Sequence, residues 1–249
     1  MDFTNKNVII TGGANGIGRA VVDGIVFGGG RAIIVDLDFE KAQEIAQQLG
    51  REKALAYKVD ISKPEEIRTV FAQIIRDVGQ VHVLIHCAGI VSTKAFEEIT
   101  QEEWDRVMAI DLTAAFVCSS AVYAHMVEHG YGRIVHVSSV AGKLGGGLLG
   151  TAAYAAAKAG VNGLTKAIAR EGAGKGVACN AVCPSLTLTP LIAANTSAEK
   201  VEQIAAAIPM KRGAQPQEIA NVILFYASDL ASFVTGEISD VDGGLTRDG

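Results

Sequence analysis

The sequence predicts a doubly wound α/β fold: a single domain over residues 1–249, built on a parallel sheet of roughly seven strands with helices on both faces. Three observations predict it. Short, near-continuously apolar runs alternate with amphipathic stretches from end to end, and a strand that is apolar on both faces belongs in a parallel sheet covered on both sides. A glycine cluster sits at the first strand-to-helix joint. No linker, repeat or low-complexity segment interrupts the alternation, and 249 residues with 49% hydrophobic content and 28 glycines suit one core with many tight turns.

"NVIIT" (7–11) reads as a buried strand that runs through the glycines into a helix, "GIGRAVVDGIVFGG" (16–29). "RAIIVD" (31–36) is the second strand, followed by a helix, "FEKAQEIAQQLG", that stops at Gly50. "ALAYKVD" (54–60) is strand-like. "SKPEEIRTVFAQIIRDVG" (62–79) then has the marks of a helix start: a serine cap, an early proline and acids in the first turn. "VHVLIHCAG" (81–89) is the fourth strand, a long helix covers about 101–129, and "RIVHVSS" (133–139) is the fifth strand. After a glycine-rich loop comes a helix with Tyr154 and Lys158, then the sixth strand, "GVACNAVCP" (176–184). Helical material fills 191–228 with a break at 209–213, and "GEISDVDGG" (236–244) supplies a last short strand. Residues from about 186 to 215 are expected to form the substrate loop and helices.

Composition excludes several classes of function. The net charge is −5 with acids and bases mixed along the chain, so there is no nucleic-acid footprint. By the sequence pattern no apolar run reaches the ~18 residues of a membrane span. The start, "MDFTNKNVII", lacks a basic region and a signal-like apolar stretch, so a cytoplasmic location is expected. Cys87, Cys118, Cys179 and Cys183 show no framework spacing and read as buried free thiols. Cys179 and Cys183 would share one face of a strand, poor geometry for zinc, and no metal is expected there.

The turn "TGGANGIG" (11–18) carries Gly12, Asn15, Gly16, Ile17 and Gly18 between a strand and a helix. Glycines at such a joint let the backbone turn sharply and approach a pyrophosphate, whose charge then sits at the helix N-terminus. Asp36 ends the second strand, where a carboxylate can accept hydrogen bonds from the adenosine ribose hydroxyls and would repel a 2′-phosphate. A plain helix cap is the competing reading for Asp36. Asn15 and Leu37 offer no cation, and Arg19 is the one residue that works against a preference for NAD over NADP.

"YAAAK" places Tyr154 and Lys158 one helical turn apart, on the same side of the helix. Alone, that spacing fits an ordinary half-buried tyrosine beside a solvated lysine. The nucleotide turn, the "CAG" of Cys87, Ala88 and Gly89, the paired Ser138 and Ser139, "YAAAK" and the closing "DVDGG" stand in one order along the chain. In that order they resemble the short-chain dehydrogenase/reductase family, a single-domain Rossmann fold, over essentially the whole chain. The resemblance implies that Tyr154 is the general acid/base and that Ser139, rather than Ser138, holds the substrate oxygen. It also implies that Lys158 binds the nicotinamide ribose and lowers the tyrosine pKa. Asp60 matches the family's adenine-contacting acid, with Ile61 beside it, and Thr187 and Thr189 are available to the nicotinamide carboxamide.

The chain departs from the family pattern at three places. His86 and Cys87 replace a pair of asparagines, and Cys87 is expected to contact the adenosine side through its backbone. Asp111 stands where the family has an asparagine of the proton relay, and its charge is expected to hold Lys158 protonated. Pro184, expected among the cofactor-binding residues, is followed by Ser185 instead of glycine. In addition, the stretch from Ser139 to Tyr154 is about two residues longer than usual, and "GGGLLG" (145–150) is expected to bulge into the substrate pocket.

The expected function is hydride transfer between NAD(H) and a secondary alcohol or ketone, tilted toward oxidation, with a 3-oxoacyl thioester reductase as the alternative within the family. A pocket lined by 90–96, 142–151 and 186–195 would be small and apolar, with Lys94 and Lys143 as possible anion anchors. The resemblance also implies a homotetramer packed through the long helix and the Tyr154 helix. Two readings come from other classes. One is a non-catalytic NAD-binding sensor, against which the intact Ser139, Tyr154 and Lys158 argue. The other is a metallohydrolase suggested by "HMVEH" (125–129), against which a place at the negative end of a helix argues.

Overall fold

The computed structural model describes residues 1–146 and 149–246. Seven parallel strands form one sheet: β1 (Asn7–Thr11), β2 (Arg31–Asp36), β3 (Ala54–Lys58), β4 (Val83–His86), β5 (Gly132–Val137), β6 (Val177–Pro184) and β7 (Ile238–Val241). Their order is β3-β2-β1-β4-β5-β6-β7. The chain moves outward from β1 to β3, then returns to the other side of β1 with β4. This reversal opens a crevice at the carboxyl ends of β1 and β4, the place where open α/β sheets bind ligands. In register, Thr11 faces Val35 on one side and His86 on the other.

The apolar runs are continuous because each strand buries both faces. Val8 and Ile10 of β1, with Ile34, Ile85 and Val135, pack on Val21, Val22 and Ile25 of α1 (Gly16–Phe27) and on Ile219 and Ile223 of α10 (Pro216–Ala227). Ile9, Ile33, Leu84 and Ile134 face the opposite way. They pack on Ile67, Phe71 and Ile74 of α3 (Pro64–Val78) and on Val117, Val122 and Met126 of α5 (Ala114–Glu128). Alternation along one strand thus fills two cores.

α2 (Phe39–Leu49) is capped by Asp38, whose side chain accepts from Lys41 N. The start of α3 corrects the expected serine cap: Lys63 is the N-cap, and Ser62 instead donates its hydroxyl to Asp60 Oδ1 at 2.6 Å. The expected long helix is present, but it is not uniform. α4 (Gln101–Met108) passes through a π-helical turn, Ala109–Thr113, into α5. By length and composition, this 28-residue course, with a mean hydropathy of 1.7 over an 18-residue window, is the one helix among the described residues that could cross a membrane. Its longest stretch without Asp, Glu, Lys or Arg runs from 112 to 127 between Asp111 and Glu128, which is shorter than the ~18 residues of a span, in line with the sequence pattern. In the fold its apolar side lies on the sheet.

After β5 comes a short helix, α6 (Ala141–Leu144), then α7 (Ala152–Gly172), which carries Tyr154 and Lys158. α8 (Pro190–Asn195) and α9 (Ala198–Ala207) follow β6 and pack over its end through Leu186, Ile192, Ile204 and Ile208. Of the expected bulge at 145–150, residues 147 and 148 lie outside the described residues.

Candidate active site

At the carboxyl end of β1 the chain must turn within a few residues into α1. Gly12 (φ +67°) and Gly16 (φ +51°) take left-handed backbone that side chains disfavour. A Cβ on Gly12 would stand 2.9 Å from the Ala88 backbone, and one on Gly18 would stand 2.1 Å from the Gly12 carbonyl oxygen. Only bare backbone fits there, which leaves a cradle for a phosphate group at the start of α1.

This cradle opens on a cleft of about 460 Å³. Gly12, Asn15, Gly16, Ile17, Gly18, Asp36, Asp60, Ile61, Cys87, Ala88, Gly89 and Thr189, the residues expected at the cofactor, all line it. Ile110, from the π-helical turn, also lines it and carried no signal in the sequence. Thr187 does not take its expected place. It is buried in an isolated bridge to Ala214, with its hydroxyl donating to Ser185 O at 3.3 Å. Pro184 lines a second, smaller cavity instead.

Asp36 is not a helix cap, because Asp38 has that role. Its oxygens accept the N–H groups of Ala14 (2.9 Å) and Asp38 (3.0 Å), which fixes the carboxylate at the rim of the cleft. The cations at this end differ from expectation. Arg19 is tied to Asp23 at 3.0 Å, whereas Lys41 reaches back from α2 to hydrogen-bond Asn15 Oδ1. Asp60 accepts from the Ser62 hydroxyl and N–H, and those bonds, with Lys63 nearby, hold its carboxyl below the usual range. The Cys87 N–H donates to Thr11 O at 3.2 Å, while burial pushes its thiol up to about 12.

A second cavity of about 80 Å³ adjoins the cleft, and Leu191 lines both. Tyr154 and Ser139 meet there among Val91, Leu149, Leu186, Ile192 and Ile204. β5 ends at Val137, so the two serines fall in the following turn and diverge. The Ser138 hydroxyl points inward and donates to Lys158 O at 3.1 Å. Ser139 Oγ accepts the Ala141 N–H at 3.1 Å, and Ser139 pulls the pKa of Tyr154 down.

Lys158 is buried, with Nζ 5.5 Å from the Tyr154 ring centroid. It donates to Val137 O at 3.1 Å and lies 3.2 Å from Asp111 Oδ1. Asp111 is wholly buried; Oδ1 also accepts the Ile90 N–H at 3.2 Å, and Oδ2 has no partner among the described residues. Burial raises the Asp111 pKa against the pull of Lys158. Lys158 ends above its ordinary value, because Asp111 and Tyr154 outweigh the opposing effect of burial. The expectation for Tyr154 needs correction. Lys158 does pull the phenol down, but burial pushes it up more strongly and Asp111 adds to that, so the net shift is upward.

Other candidates resolve on their geometry. Lys143 is paired with Asp240 at 2.8 Å, and Lys94 is exposed and lines neither cavity. The ligand atoms of His125, Glu128 and His129 lie within 4.8 Å of one another. His125 Nε2, however, accepts the Val81 N–H at 3.1 Å. A neutral imidazole then carries its proton on Nδ1 and has no lone pair left for a metal.

A glycine-lined nucleotide cleft, joined at one leucine to a chamber holding a phenol, a hydroxyl and a nearby ammonium, defines a nicotinamide-dependent oxidoreductase. Residues 12–246 match the family described as Enoyl-(Acyl carrier protein) reductase. The chain belongs to the short-chain dehydrogenase/reductase family. It is 35% identical over 241 residues to an acetoacetyl-CoA reductase of Rhizobium meliloti (strain 1021), covering 96% of this chain and 98% of that one. It is also 35% identical over 245 residues to the 3-oxoacyl-acyl-carrier-protein reductase FabG of Escherichia coli (strain K12), covering 98% and 99%. A structure from Beutenbergia cavernae, described as a candidate NAD(P)-dependent gluconate 5-dehydrogenase with bound NADP, is similar at a TM-score of 0.90. It is 35% identical, with 98% of each chain covered.

Proposed function

We propose that the chain reduces the 3-keto group of a small acyl thioester to a secondary alcohol, with NADH as the preferred cofactor. The observation that carries this reading is the pairing of Tyr154 and Ser139 in an enclosed apolar chamber beside the nucleotide cleft. The upward shift of the phenol suits the proton donation that reduction requires. Two similar proteins named as 3-oxoacyl and acetoacetyl thioester reductases support the same substrate class.

A bound dihydronicotinamide would supply the hydride that the carbonyl carbon takes up. The chain supplies the rest. Ser139 donates a hydrogen bond to the carbonyl oxygen and positions it, and Tyr154 gives that oxygen its proton, so the product is a neutral alcohol. Lys158 would hold the nicotinamide ribose, and Asp111 fixes Lys158. Gly12, Gly16 and Gly18 would cradle the pyrophosphate. Asp36, Asp60 and the backbone of Cys87 would receive the adenosine, and Thr189 the carboxamide.

The preference for NADH rests on Asp36, whose fixed carboxylate repels a 2′-phosphate; Lys41 weakens that repulsion. A second reading is a dehydrogenase of a small neutral alcohol, favoured by the apolar chamber and by the pairing of Lys143, which is no longer a free anion anchor. In either reading the chain acts on a small molecule in the cytoplasm, with no nucleic-acid or membrane partner. It works as a homotetramer, an assembly supported by Phe116, 52% exposed on α5.

The test is to follow oxidation of NADH and NADPH with acetoacetyl-CoA alongside a panel of small ketones, for the native chain and Tyr154→Phe. Turnover of the thioester, lost by about 10²-fold or more in the variant, is expected. No turnover with any carbonyl compound, or full activity without the phenol, overturns the proposal.

A further inference from the structure

A tyrosine that only donates a proton does not need a carboxylate touching its neighbouring lysine. Asp111 is nevertheless locked in that position. The π-helical turn Ala109–Thr113 widens the helix at this residue. Residue 89 is glycine, where a Cβ would stand 2.5 Å from Asp111 Oδ1. The Ile90 N–H and Lys158 Nζ hold that same oxygen from two sides, at 3.2 Å each. Oδ2 is buried without a donor, so no other hydrogen bond shares the carboxylate's charge.

We propose that Asp111 sets the pH range of the reaction: clasped to Lys158, it cancels much of the ammonium's field at Tyr154 and keeps the phenol in its proton-donating form. This rests on the reading of Tyr154 as the proton donor. Asp111 is a positioning residue, acting on the reacting carbonyl only through Lys158 and Tyr154.

The reasoning is electrostatic. A lone buried ammonium 5.5 Å from the ring stabilises the phenolate. A carboxylate in contact with it makes a neutral pair, whose field falls off faster with distance than that of a single charge. An amide in place of the carboxylate would keep an acceptor for Ile90 and would carry no charge, leaving the lysine's field unopposed.

The other groups facing this cluster do not substitute for Asp111. On β6, Cys183 is held as a neutral thiol by burial, and Cys87 after β4 likewise. His86 on β4 and His136 on β5 are kept neutral by burial and by Lys158. Arg106 on α4 acts on Asp111 and lowers its pKa. Asp111 is therefore the negative charge that opposes Lys158 at Tyr154 near neutral pH.

The test compares the native chain with Asp111→Asn, and with Asp111→Ser in case the amide does not fold. Ionisation of Tyr154 is read without turnover, as the ultraviolet tyrosinate titration of each protein minus that of its Tyr154→Phe counterpart. Removal of the carboxylate is expected to lower the midpoint by about one pH unit, a tenfold change in the ionisation constant. The basic limb of kcat/KM for carbonyl reduction is expected to move down with it. An unmoved midpoint overturns the inference, as does a uniform loss of activity at every pH with the limb in place. Failure of the proposed function is distinguishable, because the titration is read whether or not any ketone is reduced.

Discussion

Lys158→Met tests how far the buried ion pair stabilises the fold. The substitution keeps most of the side chain's bulk and removes the ammonium, leaving Asp111, with no exposed surface, a single N–H from Ile90. Breaking a buried pair by deleting one partner costs about 3–5 kcal/mol. In a chain of this size each kcal/mol moves the thermal midpoint by about 2–4 °C, so a fall of roughly 6–20 °C is expected. The loss should depend on pH in a defined direction. Burial raises the folded pKa of Asp111 above its unfolded value of 3.8, so the folded state keeps its proton to higher pH, and stability falls as pH rises through that window. Without Lys158 the folded pKa rises further and the window widens. The deficit is then largest at about pH 8 and shrinks as the pH falls toward about 5. Urea denaturation of both proteins at those two values measures it. A variant as stable as the native chain at the higher pH, or a deficit that ignores pH, refutes the reasoning.

The two adjacent serines should separate by role. Ser139→Ala is expected to lower kcat about 10²-fold in a folded protein, whereas Ser138→Ala costs about 1 kcal/mol of stability and keeps turnover; kinetics and denaturation of both variants check this. Lys41→Ala should raise KM for NADPH more than for NADH, read from paired cofactor titrations, because it removes the cation bonded to Asn15 at the adenosine end. His82 and His125 each accept a backbone N–H, from Asn7 and Val81, and burial lowers both pKa values below 6.5. The unfolded chain takes up those protons first, so stability is lost as the pH falls below 6.5, and His82→Gln should flatten that fall in a denaturation series.

The strands were legible because each carries its own apolar signal on both faces, and the glycine turn because its chemistry is local. What stayed hidden depends on distance through space. Lys41 lies 26 residues from Asn15 in sequence, so nothing local announces their bond. The choice between Ser138 and Ser139 turns on β5 ending at Val137, a boundary one residue wide. Thr187 and Thr189 differ because a bridge to Ala214 faces one inward and leaves the other on the cleft. The π-helical turn that carries Asp111 leaves no mark in the residue pattern. The direction of the Tyr154 shift required knowing how deeply the phenol is buried, which spacing on a helix does not report.

Leu191 forms a wall of both the nucleotide cleft and the chamber that holds Tyr154. Two ligands that share a partition cannot be tuned one at a time. A residue that enlarges the chamber for a bulkier substrate also withdraws contact from the dinucleotide, and one that grips the dinucleotide harder narrows the room beside Tyr154. Variation in substrate range at this wall is therefore bound to variation in coenzyme affinity, and separating the two requires changes elsewhere, at Leu149 or Ile204, which line the chamber alone.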